Sequence, residues 1–186
     1  MRRLIVAVIL VVFLGLGCVQ SGNEVGTGLE SKLPSENLPE NLELVAVLTS
    51  ETSPSSLDDV MPLIDGSRSV NPKKVDVVSA VEGVYSYGGA YDVVVYVVEM
   101  KSSMDATAGY LNFLNLTRFQ GGLPNEIDRY TIWLADDKQI TEVRDISPSH
   151  RIRFIYIWKE DNLLFIIMGN SNREQMRELA LQILQT

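Results

Sequence analysis

The clearest periodicity lies near the C-terminus. Met176, Leu179, Ala180, Ile183 and Leu184 recur at i, i+3, i+4, i+7 and i+8, and Arg173, Arg177, Glu178 and Gln182 fill the opposite side. This predicts an amphipathic helix lying on an apolar layer. Ser171 and Glu174 stand at capping-box spacing in front of it. A second helix is expected from Ser102, where Ser102-Ser-Met-Asp105 resembles a capping box and Met104, Ala108, Leu111 and Leu114 form the stripe. Asn115 would spoil that stripe, so the helix should end there, ahead of Gly121-Gly122-Leu123-Pro124.

Strand patterns fill most of the remainder. Residues 44–49 read as a strand, and a short helix from Ser56 is expected to be interrupted by Pro62. Residues 75–87 and 90–100 are rich in Val and Tyr and are joined by Gly88-Gly89, a two-residue hairpin signal. With Tyr87 opposite Ala90, one face carries Val77, Val81, Tyr85, Tyr87, Val94, Tyr96, Val98 and Met100, interrupted by Asp92. The other carries Val78, Ala80, Val84, Tyr91, Val93, Val95 and Val97, with Glu82 and Glu99. Both faces are largely apolar, so the pair is expected to be central and covered on both sides, or to offer one face for docking. Residues 129–135 and 138–144 form a second expected hairpin around Asp136-Asp137. Ile152, Phe154, Tyr156 and Trp158 alternate along another strand, and the apolar run 163–168 reads as a buried central one.

The order is β, a short helix, β-β-α-β-β-β-β-α. It predicts an α+β fold: an antiparallel sheet of six to seven strands with two main amphipathic helices packed on it. The architecture loosely resembles the PsbP/Mog1-like group of small export-associated domains. The resemblance is one of fold, and it implies no activity.

The N-terminus has a different texture. Arg2 and Arg3 precede the apolar run Leu4 to Leu16, then Gly17 and Cys18. A positive n-region, a short apolar run and small residues are the layout of a secretory signal peptide over 1–17. The run is short for a bilayer span, which needs roughly 17–25 residues. Leu14-Gly15-Leu16-Gly17-Cys18 resembles a bacterial or archaeal lipobox, although Gly15 stands where a large aliphatic residue is usual. The resemblance implies cleavage before Cys18 and a lipid on it. An uncleaved signal anchor is the alternative. Either way the chain is expected at the outer face of the plasma membrane. Residues 18–41, rich in Gly, Ser, Pro, Asn and Glu, read as a lipidated Cys and flexible linker, and 42–186 as a single extracytoplasmic domain.

Composition adds exclusions. The chain has 186 residues, one cysteine and a formal net charge of -8. One cysteine allows no internal disulfide. The acidic balance disfavours nucleic acid and anionic headgroups as partners of the globular part.

Candidate chemistry is sparse. His150 is the only histidine, and with Cys18 at the N-terminus it leaves no soft metal set. Asp58-Asp59 and Asp136-Asp137 lack calcium-loop spacing. Nucleophile elbows, Walker loops and zincin motifs do not occur. No catalytic residue, metal ligand or cofactor is therefore expected. Asn115-Leu-Thr117 is a glycosylation sequon, set in a position where sequons tend to go unused. Tyr85, Tyr87 and Tyr91 flank the Gly88-Gly89 turn and are the expected ligand or partner surface. The leading expectation is a non-enzymatic envelope protein that binds another envelope component, with membrane lipid engaged through the anchor. The alternatives are an extracytoplasmic hydrolase using carboxylates or His150, and a glycan- or solute-binding module using the Tyr85–Tyr91 tip.

Overall fold

The computed structural model describes residues 28–50, 54–121, 123, 127–135, 137–146, 151–170 and 172–186, the side chains of 54–56, 91 and 92 excepted. The elements are β1 (Leu42–Thr49), α1 (Pro54–Ile64), β2 (Val77–Tyr87), β3 (Ala90–Met100), α2 (Ser103–Leu114), β4 (Tyr130–Ala135), β5 (Lys138–Ile146), β6 (Ile152–Glu160), β7 (Leu163–Met168) and α3 (Arg173–Leu184). Short 3-10 turns occupy Leu29–Lys32 and Thr117–Gln120. The α+β expectation holds. One seven-stranded antiparallel sheet has the order β1-β2-β3-β7-β6-β5-β4. The chain runs in from one edge over β1, β2 and β3, crosses by α2 to the far edge at β4, and returns to the middle at β7. The apolar run 163–168 thus becomes the central strand.

Both sheet faces are covered. On one, α3 and residues 29–41 cover Val81, Tyr85, Val93, Val95, Val97, Tyr156, Trp158, Phe165 and Ile167. On the other, α1 and α2 cover Ala80, Tyr96, Val98, Met100, Val143, Ile155, Ile157, Leu164 and Ile166. The expectation that the Val- and Tyr-rich pair is central and doubly covered is met, but its faces are not the expected ones. Tyr87 does pair with Ala90, and Gly88 and Gly89 take φ of 55° and 86°, the left-handed conformations that a tight hairpin turn needs. Ser86 then pairs with Tyr91, while Tyr85 pairs with Val93. Asp92 is the extra residue of a β-bulge, and it shifts β3 by one position as far as Ser79 opposite Glu99, after which a second irregularity at Val78 restores the register. Val81 and Tyr85 therefore share a face with Val93, Val95 and Val97, not with Val94, Tyr96 and Val98.

Three further expectations are corrected. Pro62 does not interrupt the first helix, which runs from Pro54 to Ile64 with the proline inside its last turn. Asp58, whose carbonyl loses its i+4 donor to the proline ring, is exposed and can turn to water. The stripe of α2 is rotated: Ala106, Gly109, Asn112 and Phe113 are buried, and Met104 is 79% exposed. Gly109 allows this, because a Cβ there would lie 2.9 Å from Met100 Cε and 3.3 Å from Leu164 Cδ2. Ser102 caps the helix as expected, accepting from Asp105 N at 3.1 Å. At α3 the cap is Asn172, one residue beyond the expected Ser171, and its side chain accepts from Gln175 N at 3.3 Å. The α3 stripe is buried as expected.

The largest correction concerns residues 28–41, read from composition as flexible linker. Leu33 is buried, and Leu29 and Leu38 pack on the same core. Tyr85 donates its hydroxyl hydrogen bond to Pro34 O at 3.0 Å, and Gln175 Nε2 donates to Glu40 O at 2.6 Å. Gln182 Nε2 also donates to Asn37 O. The segment has no periodicity because it is an irregular strap. Beyond the 3-10 turn at Leu29–Lys32 it makes no helix of its own, and it follows the ends of other elements.

Candidate functional site

The expected tyrosine surface is not one surface. Tyr85 is fully buried, with its hydroxyl on Pro34. Tyr87 is partly buried against the same core. The Tyr91 side chain lies outside the described residues, as do Cys18, His150 and Asp136. Asn115 ends α2, half-buried, donating from Nδ2 to Leu111 O at 2.8 Å. Asp58 and Asp59 lie exposed on α1. Among the described residues no three His, Cys, Asp or Glu side chains group as a metal site, and no helix is long and apolar enough to cross a membrane.

What the fold does bring together is a set of arginines. Arg68 sits in the loop after α1, Arg118 in the 3-10 turn after α2, Arg129 just before β4, and Arg153 on β6. The loop after α1 is tied to α2 by the buried Asn112. Its Nδ2 donates to Ile64 O and Lys73 O, each at 2.7 Å, and its Oδ1 accepts from Lys73 N at 2.8 Å. Gly66 makes the tight turn there at φ 87°. Thr117 N donates to Arg68 O at 2.8 Å, so Arg68 is anchored beside Arg118. Arg153 stands directly opposite Asp145 across β5 and β6. Arg118 Nε and Arg129 Nη1 lie 3.9 and 3.8 Å from the two oxygens of Asp145. Both guanidinium groups also rest on the Phe119 ring, 4.8 and 5.7 Å from its centroid.

The electrostatics of this corner are unbalanced. Among the described residues, the ion pairs of these four arginines both end on Asp145. Burial weakens the hold of Arg118 on its proton and the charges of Arg153 and Arg68 add to that, with Asp145 opposing. Arg153 Nε is buried with no hydrogen-bond partner among the described residues. Such an orphaned donor is costly unless something outside the chain accepts from it.

A second surface adjoins it. β4 is an edge strand whose outer side chains are apolar: Tyr130 is partly exposed, Ile132 is 58% and Leu134 73% exposed. Arg144 N donates to Arg129 O at 2.9 Å. That bond fixes the alternation, so Tyr130, Ile132 and Leu134 turn their own N–H and C=O groups toward the open edge. The opposite edge, β1, is blunted by the exposed Glu43 and by a bulge at Val45. β4 has neither a charge nor a bulge.

A third feature is closed. Glu142 is buried on β5, where its carboxylate accepts from Arg144 at 3.1 Å, Arg173 at 2.8 Å and Tyr156 at 3.0 Å. The Tyr156 hydroxyl is pushed well above its ordinary range, first by burial and then by the Glu142 charge. These bonds tie β5, β6 and α3 together.

No family model matches the chain, and no curated protein matches it. The structure is similar at 12% identity to the crystal structure of the extracellular domain of PknH from Mycobacterium tuberculosis, with a TM-score of 0.42 over 77% of this chain and 78% of that one. Neither figure reaches the level at which a shared fold or function follows.

Proposed function

We propose that this chain is a non-enzymatic binding module of the cell envelope. It is exported and held at the outer face of the plasma membrane by a lipid on Cys18. It takes an extended segment of a partner envelope protein on the free edge of β4. The leader and the lipobox-like run before Cys18 support the address. The observation that carries the binding role is the β4 edge, which combines three exposed apolar side chains with backbone groups that pair with no strand among the described residues. An added strand would satisfy those backbone groups, and its alternate apolar side chains would cover Tyr130, Ile132 and Leu134. Tyr85 takes no part in a glycan or peptide site at the hairpin tip, because it is inside the core.

A photo-crosslinking amino acid at Ile132 of the full-length protein, irradiated in native membranes, tests the reading. The expected product is a covalent adduct with a different envelope protein, lost when Leu134→Lys places a charge on the edge. No adduct, or an adduct of two copies of this chain, would overturn it. The intact mass of membrane-extracted protein checks the address at the same time, since cleavage before Cys18 and a lipid both change it.

A further inference from the structure

The geometry points to a binding site for a phosphate-bearing ligand at the corner formed by Arg68, Arg118, Arg129 and Arg153. This site is separate from the β4 edge and does not rest on the role proposed for that edge.

Four segments that are remote in sequence each bring one arginine to this corner, and among the described residues one carboxylate answers them. Three positive charges remain over in a chain whose net charge is -8. A random surface of such a chain would place carboxylates there. One of the arginines is held at its head: Arg129 donates to Arg144 O at 2.8 Å and to Gly121 O at 2.5 Å. The backbone of Arg153 is fixed opposite Asp145 in the ladder. Packing four guanidinium groups around one acid costs stability in the empty protein, so the arrangement makes sense when an anion completes it. Guanidinium forks match tetrahedral oxyanions, and a phosphate monoester brings about two negative charges at neutral pH. A single carboxylate ligand would leave most of the surplus unanswered. The buried Arg153 Nε supplies a donor that lacks an acceptor among the described residues. The ligand's phosphate comes either from a small soluble molecule or from a lipid headgroup, and the two sources share the chemistry.

The test uses the full-length chain in detergent micelles. Its thermal midpoint is followed as inorganic phosphate replaces chloride at constant ionic strength. Phosphate is expected to raise the midpoint and to saturate. Arg68→Gln and Arg118→Gln are the informative variants, because both side chains reach solvent and neither carries the core. Each should raise the half-saturating phosphate concentration about tenfold, the size of one lost charge-assisted hydrogen bond. In chloride alone each should leave the midpoint unchanged or higher, which a purely structural arginine would not do. Arg177→Gln, a residue packed over Trp133 on the other face, should leave phosphate binding as it is. A second arm reconstitutes the chain in phosphatidylcholine nanodiscs with and without phosphatidate. A rise in both arms assigns the site to headgroups as well as soluble phosphates, and a rise in the first alone assigns it to soluble ligands. An equal response to phosphate and chloride overturns the inference. So does a phosphate response that survives loss of both Arg68 and Arg118. Neither result would bear on the crosslinking of β4.

Discussion

Two buried glutamates show how much a single residue's surroundings decide. Glu142 is met by two arginines and a tyrosine, and its charge is fully answered. Glu82, on β2 beneath α1, is almost as deep, yet the charge that acts on it is another acid, Asp59. Burial raises its proton affinity above the ordinary carboxylate value, and the Asp59 charge raises it further. The folded protein then holds the Glu82 proton more tightly than the unfolded chain does. Its contribution is favourable below the unfolded value and is lost as pH rises through the folded one, so the ionised side chain is a cost at neutral pH. Glu82→Gln removes that cost. Urea unfolding at pH 7 should find the variant more stable than the parent, with the difference shrinking as pH falls through the raised folded value and gone below the ordinary carboxylate value of 4.5. A variant that lost as much stability at pH 7 as at pH 4 would contradict this account. The pattern of the chain places Glu82 on a strand and on a face, but it does not reveal which acid lies across from it.

At the scale of elements, the apolar pattern was readable wherever one stripe was decisive. In α3 the stripe 176/179/180/183/184 is the buried face. In α2 two stripes competed. The bulkier one, through Met104 and Leu111, lost to the one through Gly109 and Phe113. Close approach to β3 and β7 needs a residue with no side chain, and hydrophobicity does not score that. Met104, Ala108 and Leu111 are left lining a shallow cleft of about 340 Å³ beside Lys73 and Lys159. The faces of β2 and β3 were misread for a similarly local reason, the single extra residue at Asp92. The junction of β7 and α3 depends on another such detail. At Gly169 an added Cβ would collide with the Phe154 carbonyl oxygen and lie 2.6 Å from Met176 Cγ. The oxygen belongs to the backbone of β6 and accepts from Gly169 N at 3.1 Å, so it has little freedom to give way. Gly169→Ala is expected to cost about 3 kcal/mol, near the top of the range for overpacking. Thermal unfolding would register it as a clear fall in the midpoint, whereas Ala at the exposed Gly121 should change little.

At the scale of the whole molecule, sequence pattern loses its reach. The four arginines are scattered from 68 to 153, and only the return of the chain from β4 toward β7 brings them to one corner. The N-terminal strap was missed for the same reason. Residues 28–41 have the composition of a linker, and their role lies in what they touch. Leu33 covers Gly83, where a Cβ would sit 3.0 Å from its Cδ1, and Pro34 takes the hydroxyl of the buried Tyr85. Glu40 and Asn37 take donors from α3. Removing the strap would uncover Gly83, Val81 and Tyr85 on one face of β2 and leave the Tyr85 hydroxyl and Gln175 amide without partners. The loss of Leu33 alone is worth about 2–3 kcal/mol as a buried leucine, and an orphaned buried hydroxyl adds about 1–3 kcal/mol. A form beginning at residue 42, the boundary that composition favours, should therefore unfold at a much lower temperature than one beginning at residue 28. Equal midpoints for the two would show that the strap adds nothing.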